Sequence, residues 1–180
     1  MHEMNQPSNR TQRRYDRLAF AYDILEAPLE RLRFAEWRKR LRGRIAGPAV
    51  LEVGVGTGKN FPYYPSGEQV VGIDLSPHML MRARRKASKL DLNVDLREMD
   101  VQSLDFPDHC FDTVFATFVF CSVPDPVAGL RELRRVCKPS GRLLLLEHMR
   151  PENIVLGLIF DVFNPMVDVV SKHHMRPMTV

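Results

Sequence analysis

Short apolar runs separated by helical stretches set the rhythm of this chain. Ala49 to Val53 follows Gly47-Pro48 and reads as a strand buried on both faces. Val70 to Leu75 makes a second strand. Val94 to Met99 alternates as a third, and Phe111 to Val119 is a fourth, nearly continuous apolar run. Ser76-Pro77 has the form of an N-cap followed by proline at the first helical position, which predicts a helix to about Lys89. Asp125-Pro126 repeats the device and predicts a helix to about Cys137. Pro139-Ser140-Gly141 then turns the chain into Arg142 to Leu146, a fifth strand. Strands alternating with helices predict an α/β fold with a doubly wound, mostly parallel sheet, helices on both faces, and a ligand at the carboxyl ends of the strands. No internal repeat or low-complexity segment interrupts the pattern.

The first strand runs into Leu51-Glu52-Val53-Gly54-Val55-Gly56-Thr57-Gly58, and the second ends on Asp74. Gly54 and Gly56 let the backbone turn sharply off a strand and approach a ligand closely. A dinucleotide fingerprint would place its third glycine at position 59, where this chain has Lys59. Glu52 points the same way, because a carboxylate repels a pyrophosphate but attracts an ammonium or a sulfonium. Asp74 is placed to accept hydrogen bonds from both ribose hydroxyls. These features favour an adenosyl compound with an amino-acid tail over a nicotinamide dinucleotide.

The order of pieces from Arg14 to about Glu152 resembles that of the class I S-adenosylmethionine-dependent methyltransferases. The pieces are Phe20-Ala21-Tyr22-Asp23, the glycine loop, the acidic end of strand two, Met99-Asp100-Val101, Cys110 to Phe115, and Lys138 to Leu143. The resemblance implies a Rossmann-like sheet and the cofactor S-adenosyl-L-methionine, with S-adenosyl-L-homocysteine as product. It implies that Asp100 and Val101 read the adenine edge and Leu75 walls the adenine face. It also implies that Thr117 and Phe118 meet the methionine tail. Local chemistry alone is served equally well by Asp100 capping its own loop. Amides of Gly54, Gly56, Thr57 and Gly58, with a helix after Gly58, would hold the tail's carboxylate. Glu52 would see its ammonium directly or through water. Tyr22 belongs to a segment that folds over the cofactor as a lid in similar enzymes, and otherwise packs on the sheet from an amphipathic helix. His148, after the fifth strand, would act as a base or shape the acceptor pocket, or is simply a structural histidine.

Composition places the chain in a broad class. Its 180 residues suit one domain, and 44% hydrophobic with 27% charged residues suits neither a disordered tail nor a membrane bundle. No apolar run is long enough to span a bilayer. Three cysteines, Cys110, Cys121 and Cys137, share no metal-ligand spacing and read as reduced thiols, so a cytoplasmic protein without disulfide or metal is expected. His173-His174 gives no reason to add a metal.

The pattern divides into residues 1–46, a basic helical lid segment; 47–150, the cofactor-binding core; and 151–180, an apolar segment near the acceptor site. Between Arg10 and Arg44, arginines and lysines interleave with Leu, Phe and Trp37. That suits a helix lying on an anionic membrane surface, making the protein peripheral at the inner membrane face. A solvated basic face over an ordinary core face gives the same pattern. No RNA-binding motif or stacking platform is present, so nucleic acid is not expected as a partner. Ile154 to Phe160 and Val162 to Val167 are apolar enough to line a greasy pocket. Together with Phe120 to Asp125 and Glu147-His148, they resemble the branch containing soluble phosphatidylethanolamine N-methyltransferases and ubiquinone/menaquinone C-methyltransferases, and also a group of thiol methyltransferases. The resemblance implies a small or lipid substrate, with a phospholipid headgroup amine favoured. A quinone carbon and a small thiol are the alternatives. Family members continue into two further strands, which are not legible before Val180. That departure keeps a non-catalytic, cofactor-binding regulatory protein in view.

Overall fold

The computed structural model describes residues 35–64 and 69–147. In chain order these form helix α1 (Ala35–Arg42), strand β1 (Ala49–Val53), a 3-10 turn (Phe61–Tyr63), β2 (Gln69–Asp74), α2 (Pro77–Lys89), β3 (Val94–Glu98), β4 (Phe111–Thr117), α3 (Pro126–Val136) and β5 (Cys137–Leu146). The five strands lie in the order β3-β2-β1-β4-β5. Every pairing is parallel. Strand order therefore reverses between β1 and β4, which opens a crevice at their carboxyl ends.

Alternation along the central strands feeds two cores. Val50, Val70 and Phe115 pack on one face with Leu80, Ala83 and Ala87 of α2, with Leu41 of α1 at the margin. Leu51, Val53, Ile73, Val114 and Ala116 pack on the other with Leu133 and Val136 of α3. Helices thus cover both faces, and the doubly wound sheet expected from the pattern is present. Both longer helices start as their sequences predict. Ser76 Oγ accepts from the amide of Met79 at 3.1 Å and Asp125 Oδ1 from that of Ala128 at 3.0 Å, each followed by proline at the first position. A cap of this kind contributes about 1 kcal/mol.

Three boundaries differ from the sequence reading, each for a local reason. β4 ends at Thr117 because Phe118 takes φ +59°, which turns the backbone off the sheet. β5 begins directly at Cys137, with Pro139-Ser140-Gly141 inside it: Cys137 pairs with Phe111 and Arg142 with Thr113, so residues 138–141 bulge against Asp112 alone. The glycine loop leads into turns and a single 3-10 turn, not an α-helix. Pro62 inside Phe61-Pro62-Tyr63 removes a helix donor. The helix dipole expected after Gly58 is therefore not available to a ligand.

Cys110, Cys121 and Cys137 are free thiols. Burial pushes the Cys110 and Cys137 thiols above their ordinary range, which disfavours the reactive thiolate. Among the described residues no helix is long and apolar enough to cross a membrane.

Candidate functional site

The crevice at the carboxyl ends of β1, β2 and β4 holds a cleft of about 920 Å³, including the space open to solvent at its mouth. Its floor is the glycine loop. Gly54 has φ +66°, and a Cβ there would stand 2.3 Å from Val119 Cγ2, so only glycine lets the loop after β4 close against β1. Gly56 has φ +54°, but a Cβ there would meet nothing within 4 Å. The backbone at Gly56 is open where the backbone at Gly54 is packed. Thr57 also borders the cleft, whereas Gly58 does not.

Asp74 borders the cleft from the end of β2. Its Oδ2 accepts from the amide of Gly56 at 2.8 Å and its Oδ1 from that of Ser76 at 2.9 Å. One carboxylate thus ties the glycine loop to the start of α2. Leu75 and Met79 continue this wall. Asp100 and Val101 follow β3 and border the cleft too. Asp100 Oδ1 accepts from the backbone amide and side chain of Gln102, both at 2.9 Å. Gln102 Oε1 in turn accepts from the amide of Asp125 at 2.9 Å. Asp100 does cap its own loop, while remaining on the cleft wall.

Behind the other end of the cleft lies a buried polar network. Asn60 Nδ2 donates to Glu52 Oε1 at 2.6 Å and to Thr117 Oγ1 at 3.0 Å. Tyr64 donates its hydroxyl to Glu52 Oε2. Arg38 Nη1 donates to Asn60 Oδ1 at 2.7 Å and to Thr117 Oγ1 at 3.0 Å, and the guanidinium carbon stands 5.5 Å from the centre of the Phe118 ring. Arg38, Asn60, Thr117 and Phe118 border the cleft; Glu52 does not. Glu52 is 1% exposed. Burial pushes its pKa from 4.5 up to about 7, against the hydrogen bonds of Tyr64 and Asn60 and the charge of Arg38, which pull it down. Burial, and then the adjacent Glu52, push the Tyr64 hydroxyl well above its ordinary value. Asn60 and Thr117 border the cleft where Glu52 does not, and Asn60 Nδ2 bridges Glu52 and Thr117.

The far wall is held from β5. Phe118 donates its amide to Leu146 O at 2.8 Å, and Glu147 Oε1 accepts from the amides of Val119 and Phe120 at 3.0 and 3.2 Å. Burial raises the Glu147 pKa in spite of these two donors.

The structure brings Gly54, Gly56, Thr57, Asp74, Leu75, Asp100, Val101, Thr117 and Phe118 to one cleft. Tyr22, His148 and both apolar stretches beyond Ile154 lie outside the described residues. So does the basic segment before Ala35. Arg38, Asn60 and Tyr64 were not singled out as site residues by the sequence. Arg38 carried a signal nonetheless: it stands three residues from both Ala35 and Leu41, on the inward face of α1, while Trp37, Lys39 and Arg40 are exposed. Among the described residues no three His, Cys, Asp or Glu side chains converge as for a metal. Two carboxylates, Asp74 and Asp100, the open backbone of Gly56 and the Arg38 guanidinium thus border one cleft.

Residues 51–145 match the methyltransferase domain family. The chain is 46% identical over 104 residues to a phosphatidylethanolamine N-methyltransferase of Cereibacter sphaeroides, covering 57% of this chain and 51% of that protein. It is 36% identical over 155 residues to a demethylmenaquinone methyltransferase of Thermus thermophilus, covering 83% of this chain and 70% of that one. It spans about half the length of the first relative and more than two thirds of the second. A solved SAM-dependent methyltransferase from Aquifex aeolicus superposes with a TM-score of 0.57 at 28% identity, covering 71% of this chain and 77% of its own.

Proposed function

This chain belongs to the S-adenosylmethionine-dependent methyltransferases, and on that premise we propose that it methylates a lipophilic acceptor, a phospholipid headgroup amine in preference to a quinone carbon or a small thiol. The observation that carries the reading is the cleft itself, with Asp74 and Asp100 on one wall, the open backbone of Gly56 on the floor and Thr117-Phe118 at the end. The choice of acceptor class is supported by the two relatives, whose names specify a phospholipid and a quinone precursor. The longer match to the quinone enzyme and the higher identity to the phospholipid enzyme pull in opposite directions, and the apolar stretches from Ile154 suit either.

In this reading Asp74 accepts from the ribose hydroxyls while continuing to hold Gly56 and Ser76. Asp100 and Val101 meet the adenine edge, and Leu75 walls its face. The loop at Gly54, Gly56, Thr57 and Gly58 follows the tail, ending at Thr117 and Phe118. When bound, S-adenosylmethionine supplies a methyl group already activated by the sulfonium. The protein's work is then to align an acceptor lone pair and to exclude water, effects that reach about 7–11 kcal/mol in well-oriented systems. Phe118, Val119 and Val123 at the cleft provide an apolar rim for this. Tyr22 would cover the cofactor as a lid, and His148 would accept a proton from an amine or thiol that arrives protonated. The basic residues from Arg10 onward, apart from the buried Arg38, would hold the protein against an anionic membrane surface.

A methyl-labelled donor, offered with vesicles containing phosphatidylethanolamine, with a quinone precursor and with a small thiol, tests the proposal. Label in the phospholipid supports it. Label in the quinone or thiol replaces the acceptor, and S-adenosylhomocysteine binding without transfer to any of the three favours a non-catalytic binding protein.

A further inference from the structure

We propose that α1 and α2 together form a cationic face that docks on an anionic lipid surface, so that the sheet lies flat on the membrane and the cleft opens along it. The proposal rests on the peripheral membrane role suggested above for the segment from Arg10 to Arg44, and adds to it a helix from the middle of the chain.

Both helices pack on the same face of the sheet, where Leu41 of α1 and Leu80, Ala83 and Ala87 of α2 share one core, while Leu133 and Val136 of α3 cover the other. With Met79, Leu80, Ala83 and Ala87 turned inward, helical spacing turns Met81, Arg85 and Lys89 outward, and all three are exposed. Arg84 is exposed on the flank. No Asp or Glu occurs between Pro77 and Leu90, so α2 itself offers cations alone. Lys39, Arg40 and Arg42 of α1 are exposed beside them. The acids on this side are few. Glu36 pairs with Arg40 at 3.5 Å, Asp91 lies just past α2, and Glu98 ends β3 on the side of Val94 and Leu96. On the opposite face the charges answer one another: Arg135 is tied to Asp108 and Glu132, and Arg97 to Asp95.

The same cationic face carries large apolar side chains in contact with water. Trp37 is 41% exposed, Met81 42% and Leu90 43%. A bilayer interface takes both kinds of group, cations against lipid phosphates and apolar side chains at the acyl boundary. Nucleic acid would match the cations but not Met81 and Leu90. The helix α2 starts at the carboxyl end of β2, where Leu75 and Met79 border the cleft, and its cations follow toward the far end. The docking face is therefore the side of the sheet and the cleft its edge, so a headgroup would enter sideways.

Flotation of the whole chain with vesicles of phosphatidylcholine, with and without phosphatidylglycerol, tests the face. Wild type is expected to bind only the anionic vesicles and to leave them as salt is raised. R85Q/K89Q removes two cations that do not border the cleft. It is expected to bind roughly ten- to thirtyfold more weakly, the effect of two cations at such a surface. Its affinity for S-adenosylhomocysteine should stay within about twofold of wild type. Undiminished vesicle binding by R85Q/K89Q overturns the proposal and returns the contact to the segment before Ala35. Absence of binding by wild type overturns it together with the peripheral role, leaving the acceptor to be judged by the labelled-donor assay. Binding to single-stranded RNA in place of vesicles overturns it in favour of nucleic acid. Trp37 is the chain's one tryptophan, and W37F/M81W moves that fluorophore onto α2. Its emission should be quenched by brominated phosphatidylcholine in anionic vesicles, and unquenched emission from the bound protein would also overturn the proposal.

Discussion

Replacing Glu52 with glutamine isolates the energetics of the buried network. Glutamine keeps the shape and offers an oxygen to Asn60, while the Tyr64 hydroxyl can rotate to accept from the new amide. What changes is titration. The Glu52 pKa is about 7 in the folded protein against an ordinary value of 4.5. Between those values the folded state binds more protons than the unfolded state, so the stability this group contributes is full below pH 4.5 and is lost as pH rises through about 7. At about 1.4 kcal/mol per pKa unit, the loss amounts to roughly 3 kcal/mol for a residue with almost no solvent exposure. Urea denaturation of wild type and Glu52→Gln at several pH values between 4 and 8 gives the measurement. Taking the difference between the two proteins cancels other titrations, that of Glu147 included. The variant should gain about 3 kcal/mol on wild type across the range, most of it between pH 5 and 7.5. A difference that stays constant within about 0.5 kcal/mol would mean that Glu52 is an ordinary ionised partner of Arg38, and the reasoning would fail.

Asp74→Ala should weaken S-adenosylhomocysteine binding by one or two charge-assisted hydrogen bonds, roughly 1.5–3 kcal/mol each; wild-type affinity by calorimetry would contradict the ribose assignment. Gly54→Ala and Gly56→Ala should separate packing from access. The first forces a methyl group against Val119 in a left-handed backbone and should lower stability by about 1–3 kcal/mol. The second meets no protein atom and should cost only the backbone term, about 1–2 kcal/mol, while reducing ligand affinity more than Gly54→Ala does relative to its stability loss. Thermal melts with and without ligand compare the two. Ser76→Ala should cost about 1 kcal/mol through loss of the α2 cap, measurable as a lowered melting temperature without change in the cleft.

The regular elements were legible because their signals are local. Parallel strands buried on both faces read as apolar runs, and Ser76-Pro77 and Asp125-Pro126 carry their helix starts in two adjacent residues. Gly54, Gly56 and Asp74 were legible because few residues serve at such turns and strand ends. The network around Glu52 was not, because its partners Tyr64, Asn60, Thr117 and Arg38 meet only through the tertiary fold. Acidity at position 52 suggested attraction for a ligand's positive charge, but nothing near it in sequence announced that two neutral donors would claim its oxygens. Arg38 was hidden in a basic stretch where its neighbours are exposed, and only its three-residue spacing from Ala35 and Leu41 set it apart. Phe118 gave no hint of a left-handed backbone, a conformation that a bulky residue adopts only under tertiary constraint. The missing helix after the glycine loop was the one error the local sequence could have prevented, since Pro62 stands in its path.

The constrained backbone of Phe118 also makes the sheet's outermost described strand answerable for its ligand wall. The end of β5 grips three successive amides beyond β4, through Leu146 and Glu147, and that grip keeps the Phe118 ring under the Arg38 guanidinium. Loosening so distant a rim would let a tensioned residue spring back and tilt the cation with it. Changes made at the border could therefore alter ligand affinity without touching any atom the ligand meets.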